Sequence, residues 1–88
     1  MVIREDETLT LFIDNMPVYF TAHVNNEMDK YNKNRFFVAE IIEKGAKNLT
    51  SKAENKYESR LRIGSWTWIV AYAEDEDLIV VIHLGKER

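Results

Sequence analysis

The sequence predicts an α+β domain: an antiparallel sheet, made of an N-terminal hairpin and a C-terminal three-stranded meander, with two helices packed on one face. Three observations carry this. Two β-rich apolar runs, Tyr57–Ile63 and Trp66–Ala73, are joined by Gly64-Ser65, and a third, Leu78–Leu84, follows the acidic stretch ending at Asp77. Between residues 22 and 44 the apolar side chains recur at helical rather than strand spacing. The elements run strand, strand, helix, helix, then three strands, without the alternation of strand and helix that builds a parallel sheet.

Met1–Glu7 is acidic and is expected to fray. Thr8–Asp14 alternates, with Leu9, Leu11 and Ile13 on one face, and Val18–Thr21 resumes the alternation after Asn15-Met16-Pro17, so these form a hairpin. Val24, Met28 and Tyr31 lie at i, i+4 and i+7 and make one narrow stripe on a first helix within Ala22–Asn34. Asn34 is placed to cap a second helix carrying Phe37, Val38, Ile41 and Ile42, and Gly45 occupies its C′ position. Lys47–Lys56 is polar and is expected to be a mobile connection.

Gly64-Ser65 suits a two-residue hairpin turn, which fixes a register. Ile63 then faces Trp66, Leu61 faces Trp68, Ser59 faces Val70 and Tyr57 faces Tyr72, making an aromatic core face. The other face sets Arg62 against Thr67, Arg60 against Ile69 and Glu58 against Ala71. The last strand is apolar at nearly every position, as a central strand would be. Its register stays open. A three-residue loop Asp75-Glu76-Asp77 brings Leu78, Val80, Ile82 and Leu84 to the aromatic face and His83 beside Ile69; a two- or four-residue loop sends His83 into the core.

Eighty-eight residues with 45% hydrophobic content make one domain, residues 1–88, with a modest core. No apolar run is long enough to span a membrane and no signal-peptide pattern opens the chain, so a cytoplasmic protein is expected. The absence of cysteine excludes disulfides and thiolate chemistry. Net charge is −3, yet Lys30 to Arg62 holds nine basic and four acidic residues, so the chain is bipolar and one side suits a polyanion or an acidic partner.

Tyr57-Glu58-Ser59-Arg60-Leu61-Arg62-Ile63-Gly64, an apolar strand, an acidic turn and Leu78–Arg88, all following two helices, resemble the RelE/ParE superfamily of bacterial and archaeal toxins. His23 followed by Glu27-Met28, and a helix ending Glu43-Lys44-Gly45, also resemble a small uncharacterised family grouped with BrnT-type toxins. The resemblance covers about Thr21 to Arg88. It implies an mRNA endonuclease that works without metal, free or on the ribosome, or a gyrase inhibitor, held inactive by a small antitoxin. Within it Arg60 and Arg62 match a phosphate-holding strand, and Lys86 and Arg88 match basic positions after the last strand's glycine. Thr67 and Glu27 stand where relatives carry arginine.

The residues themselves leave alternatives. Arg60 and Arg62 either grip phosphate as guanidinium forks or pair with Glu58 and the N-terminal acids. His23 and His83 are the only histidines, the residue type suited to proton transfer at neutral pH. With no cysteine and no ordered carboxylate spacing they read as a poor metal signature, and no cofactor fingerprint appears. Arg60, Arg62, His83 and Lys86 are therefore the candidate catalytic set for RNA cleavage. The competing expectation is an interaction module of the same fold that binds a partner protein or a second copy of itself.

Overall fold

A computed structural model describes residues 3–88. Its elements are β1 (Ile3–Glu5), β2 (Leu11–Ile13), β3 (Met16–Phe20), α1 (Ala22–Tyr31), α2 (Arg35–Lys44), β4 (Ala46–Ser51), β5 (Lys56–Ile63), β6 (Trp66–Asp75) and β7 (Leu78–Glu87). They form one seven-stranded sheet in the order β1-β2-β3-β7-β6-β5-β4. The α+β class and the two helices agree with the sequence; the sheet differs from the antiparallel expectation in one pair. β3 runs parallel to β7, with Val18, Tyr19 and Phe20 beside Ile79, Val80 and Val81. Two successive helices between β3 and β4 return the chain to the far edge, and three antiparallel steps then bring β7 back beside β3 in the same direction.

Both helix starts are explained by their caps. Thr21 accepts the Val24 N–H at α1, and Asn34 accepts the Phe37 N–H at α2, each satisfying a backbone donor that the helix leaves open. α1 ends at Asn32, whose φ of 55° is the left-handed conformation asparagine tolerates. Val24 and Met28 from α1 and Val38, Ala39, Ile41 and Ile42 from α2 are buried against one sheet face.

The β5–β6 register is the one expected, from Ile63 against Trp66 to Tyr57 against Tyr72. Trp68 sits at the centre of the packed face, in near-perpendicular contact with Tyr31 and Phe37 at centroid distances of 5.4 and 4.9 Å. Edge-on contact sets the positive ring rim against the negative ring face and adds about 0.5–1.5 kcal/mol per pair beyond burial.

Four sequence expectations need correction. Of the segment expected to fray, Met1 and Val2 lie outside the described residues, while Ile3–Glu5 is a strand paired with β2. The first hairpin turns at Asp14-Asn15, both at positive φ, and Pro17 lies inside β3. Lys47–Lys56 is not simply a loop: β4 pairs with β5 along most of its length. It is an edge strand with nearly every side chain exposed, so it lacks the apolar alternation by which strands are read. Gly45 does not adopt the left-handed conformation, with φ −74° and ψ 165°. It is needed for close approach, since a Cβ there would stand 2.3 Å from Ser59 Oγ and 2.8 Å from the Arg60 carbonyl.

The last hairpin follows neither expected register throughout. Asp75 pairs with Leu78 across a two-residue turn, which puts Ile79 and Val81 on the helix face. A β-bulge then leaves Ile82 without an opposite residue, and the alternation resets: Leu84 lies opposite Val70 and is fully buried, while His83 lies opposite Ala71 on the other face. His83 therefore stays out of the core despite the two-residue turn.

Candidate functional sites

Of the four residues singled out from the sequence, Arg60, Arg62 and His83 lie on the open sheet face and Lys86 on the helix face. Arg60 stands on the open sheet face, where its Nε donates to Glu58 Oε1 at 2.9 Å and its Nη1 to Glu87 Oε1 at 2.6 Å. The Glu58 hydrogen bond, then that of Glu87, raises the guanidinium above its ordinary value, so both forks are committed to carboxylates. Arg62 donates from Nε to the Gly64 carbonyl at 3.3 Å. Lys86 pairs with Trp68 across the strands and so projects to the helix face, opposite to Arg60.

Around Lys86 the structure gathers a cationic aromatic end. Its ammonium lies 4.3 Å from the Trp66 ring centroid, 5.3 Å from Trp68 and 5.5 Å from Tyr31. Arg88 lies 4.8 Å over Trp66, and Lys33 lies 4.6 Å over Phe37. Trp66 is only partly buried, unlike Trp68. Among the described residues no carboxylate lies within ion-pair distance of Lys33, Lys86 or Arg88; rings take the place of counter-ions. Each such contact contributes about 0.5–1 kcal/mol at an exposed site and leaves the charge free for an anion.

His83 belongs to a different cluster. β3 ends at Phe20, so on the side away from β6 the half of β7 beyond the bulge has no strand, and α1 occupies that position. Glu27, on the second turn of α1, accepts the Leu84 N–H at 2.9 Å through Oε1 and faces His83 Nδ1 with Oε2 at 2.7 Å. His23, one helical turn before Glu27, brings Nε2 to 3.3 Å from Oε1. The two imidazoles stack with centroids 5.8 Å apart. Glu27 is largely buried and both histidines are substantially exposed, so the carboxylate forms the floor of the cluster and the rings its rim.

The sequence carried half of this cluster. His23 and Glu27 stand at i, i+4 in a helical segment, a spacing that sets an imidazole and a carboxylate on one helix face. His83 joins them only through the bulge and the parallel placement of β3, and no local signal announces that. Comparison with known protein families, curated proteins and solved structures finds no match for this chain.

Proposed function

We propose that this chain is an RNA-binding protein of the toxin type its sequence resembles, and that RNA is held at the cationic aromatic end. The observation that carries the reading is that Lys33, Lys86 and Arg88 rest on Phe37, Trp66 and Trp68 without carboxylate partners. Single-stranded nucleic acid is held by this combination, with cations following the backbone and a ring face stacking a base. Trp66 can give its face to a base while Lys86 and Arg88 move to phosphate. The low net charge of the chain does not oppose this, because attraction acts within a Debye length of about 10 Å at 0.1 M salt. The arginine strand contributes less than the resemblance implies, since Glu58 and Glu87 already occupy Arg60.

The test is fluorescence anisotropy of a short, unstructured, labelled RNA titrated with the protein over a range of salt. Three phosphate contacts give a log–log salt slope of about −2 for a single strand, and Lys86→Ala or Arg88→Ala each reduces it by about 0.7. Trp66→Ala removes a stacking contribution of about 1–3 kcal/mol. Salt-independent binding, or wild-type affinity in the Lys86→Ala, Arg88→Ala double variant, refutes the reading. Induced expression in a bacterial host separates cleavage from binding: loss of mRNA relieved by the same double variant adds nuclease activity, and intact mRNA leaves binding alone.

A second reading, a module that pairs with another copy of itself, is supported by the open sheet face. Phe12, Tyr19, Ile69, Ala71 and Val80 lie there with no helix over them, and Tyr19 is 58% exposed. Polar residues usually alternate onto such a face. Sedimentation equilibrium of the wild type beside Tyr19→Lys decides it, and a monomer at all concentrations rules it out.

A further inference from the structure

We propose that His23, Glu27 and His83 form a binding site for a divalent first-row transition-metal ion of the zinc type. One donor atom from each lies within 4.8 Å of the other two. Zinc bound at about 2.0–2.2 Å to nitrogen and oxygen needs tetrahedral donors roughly 3.3–3.6 Å apart. With Oε2 of Glu27 as the ligating oxygen, the 2.7 Å His83 Nδ1 contact has to open by less than an ångström, and His23 Nε2, which stands 3.3 Å from the other oxygen Oε1, has to turn toward Oε2. The remaining adjustment is a swing of the two imidazoles, whose side chains are 68% and 48% exposed.

The surroundings are organised as a metal site requires. The Leu84 N–H fixes Glu27 Oε1 and leaves Oε2 turned toward His83, the outer hydrogen bond that orients a ligating carboxylate. Gly85 leaves room for the His83 ring: a Cβ there would come 3.1 Å from Nε2, so a side chain would press on the imidazole. Two imidazoles and one carboxylate favour zinc, cobalt, nickel or copper over magnesium or calcium, which prefer oxygen. Three protein ligands at the surface leave at least one coordination position to water or to another ligand. The ligands come from α1 and β7, which meet only in the folded chain, so the ion binds the native state and stabilises it.

The experiment uses the full chain free of any histidine tag, stripped with a chelator and titrated with Zn²⁺ by calorimetry and with Co²⁺ by visible absorption. The expected result is one ion per chain with a Kd of about micromolar or tighter, cobalt d–d bands of a low-coordinate nitrogen–oxygen site, and no heat with Mg²⁺. At a hundredfold excess over Kd the midpoint of thermal unfolding rises by roughly 10 °C or more. His23→Ala, at an exposed helix position, and the His23→Ala, His83→Ala double variant each weaken binding at least about tenfold. A Kd on the order of millimolar, as scattered surface histidines give, overturns the proposal. So does unchanged affinity in the double variant. The readout does not involve RNA, so failure here leaves the RNA-binding reading standing, and the reverse also holds.

Discussion

Substituting Gly45 by alanine tests how closely α2 is set down on β5. Two effects oppose each other. With φ −74° and ψ 165° the site suits alanine, and the loss of glycine's freedom in the unfolded chain would by itself stabilise by about 0.4–1 kcal/mol. Against that, the new Cβ would lie 2.3 Å from Ser59 Oγ, 2.6 Å from the Ile41 carbonyl oxygen and 2.8 Å from the Arg60 carbonyl oxygen. Ser59 is fully buried and donates to that same Ile41 carbonyl at 2.6 Å, so it has no free rotamer to retreat into. The two carbonyls are backbone. Overpacking of this kind costs about 1–3 kcal/mol, and with three rigid neighbours the upper part of that range applies. The net expectation is a loss of about 2 kcal/mol, a large share of the roughly 4–13 kcal/mol a chain of this size possesses. It lowers the thermal midpoint by about 8–16 °C. Urea denaturation followed by tryptophan fluorescence measures it. Gly45→Ala, Ser59→Gly should recover only part of the loss, because the two carbonyls remain. A Gly45→Ala variant as stable as the wild type would refute the steric argument.

Asp6 Oδ1 accepts from Thr8 Oγ1 at 2.7 Å and from the Thr8 and Thr10 amides at 3.0 and 2.9 Å, and the Thr8 hydroxyl above all holds its carboxyl below the usual carboxylate range. Because the folded value is depressed, the loop between β1 and β2 keeps this support above the unfolded carboxyl's pKa and loses it as pH falls through the folded one. The Thr8 and Thr10 amide resonances should titrate together in acid, and Asp6→Asn should abolish that step; amides that do not move would contradict it. Arg60→Ala should leave RNA affinity unchanged while Lys86→Ala weakens it, since Arg60 is committed to Glu58 and Glu87 and Lys86 has only rings around it; equal losses in anisotropy would reverse this assignment.

The meander and the helices were legible because their signals are local. Gly64-Ser65 fixes the β5–β6 register, Asn34 caps α2, and the aromatic alternation marks the buried face. What stayed hidden depends on elements far apart in sequence. β4 reads as a polar loop because its identity as a strand comes from β5 rather than from its own residues. The parallel β3–β7 pair has no signature in either strand. Nor does the Ile82 bulge, since an apolar run shows no period to interrupt, and without it neither the placement of His83 nor its meeting with Glu27 can be deduced. In the sequence Lys86 is marked only by resemblance to basic residues after a glycine. Its actual setting, over Trp66 and Trp68, follows from the same reset of alternation that turns His83 outward.

The seam between β3 and β7 also divides the chain kinetically. β4 through β7 form by successive hairpins with short loops, and β1 through β3 form another local unit, but their joint closes a loop containing both helices. Closing it late is the entropically cheaper order. The joint is a ladder of only three residue pairs, though Leu11 and Ile13 also lie in the shared core and Arg35 ties α2 to Glu5 and the Leu9 carbonyl; opening at the ladder is the expectation, with hydrogen exchange at Val18–Phe20 faster than in the longer β5–β6 and β6–β7 ladders. During such openings β7 presents a bare edge to the corresponding strand of a neighbouring chain, a route to strand exchange. An ion bridging α1 and β7 immediately beyond that ladder would act as a clasp, slowing both the opening and the exchange.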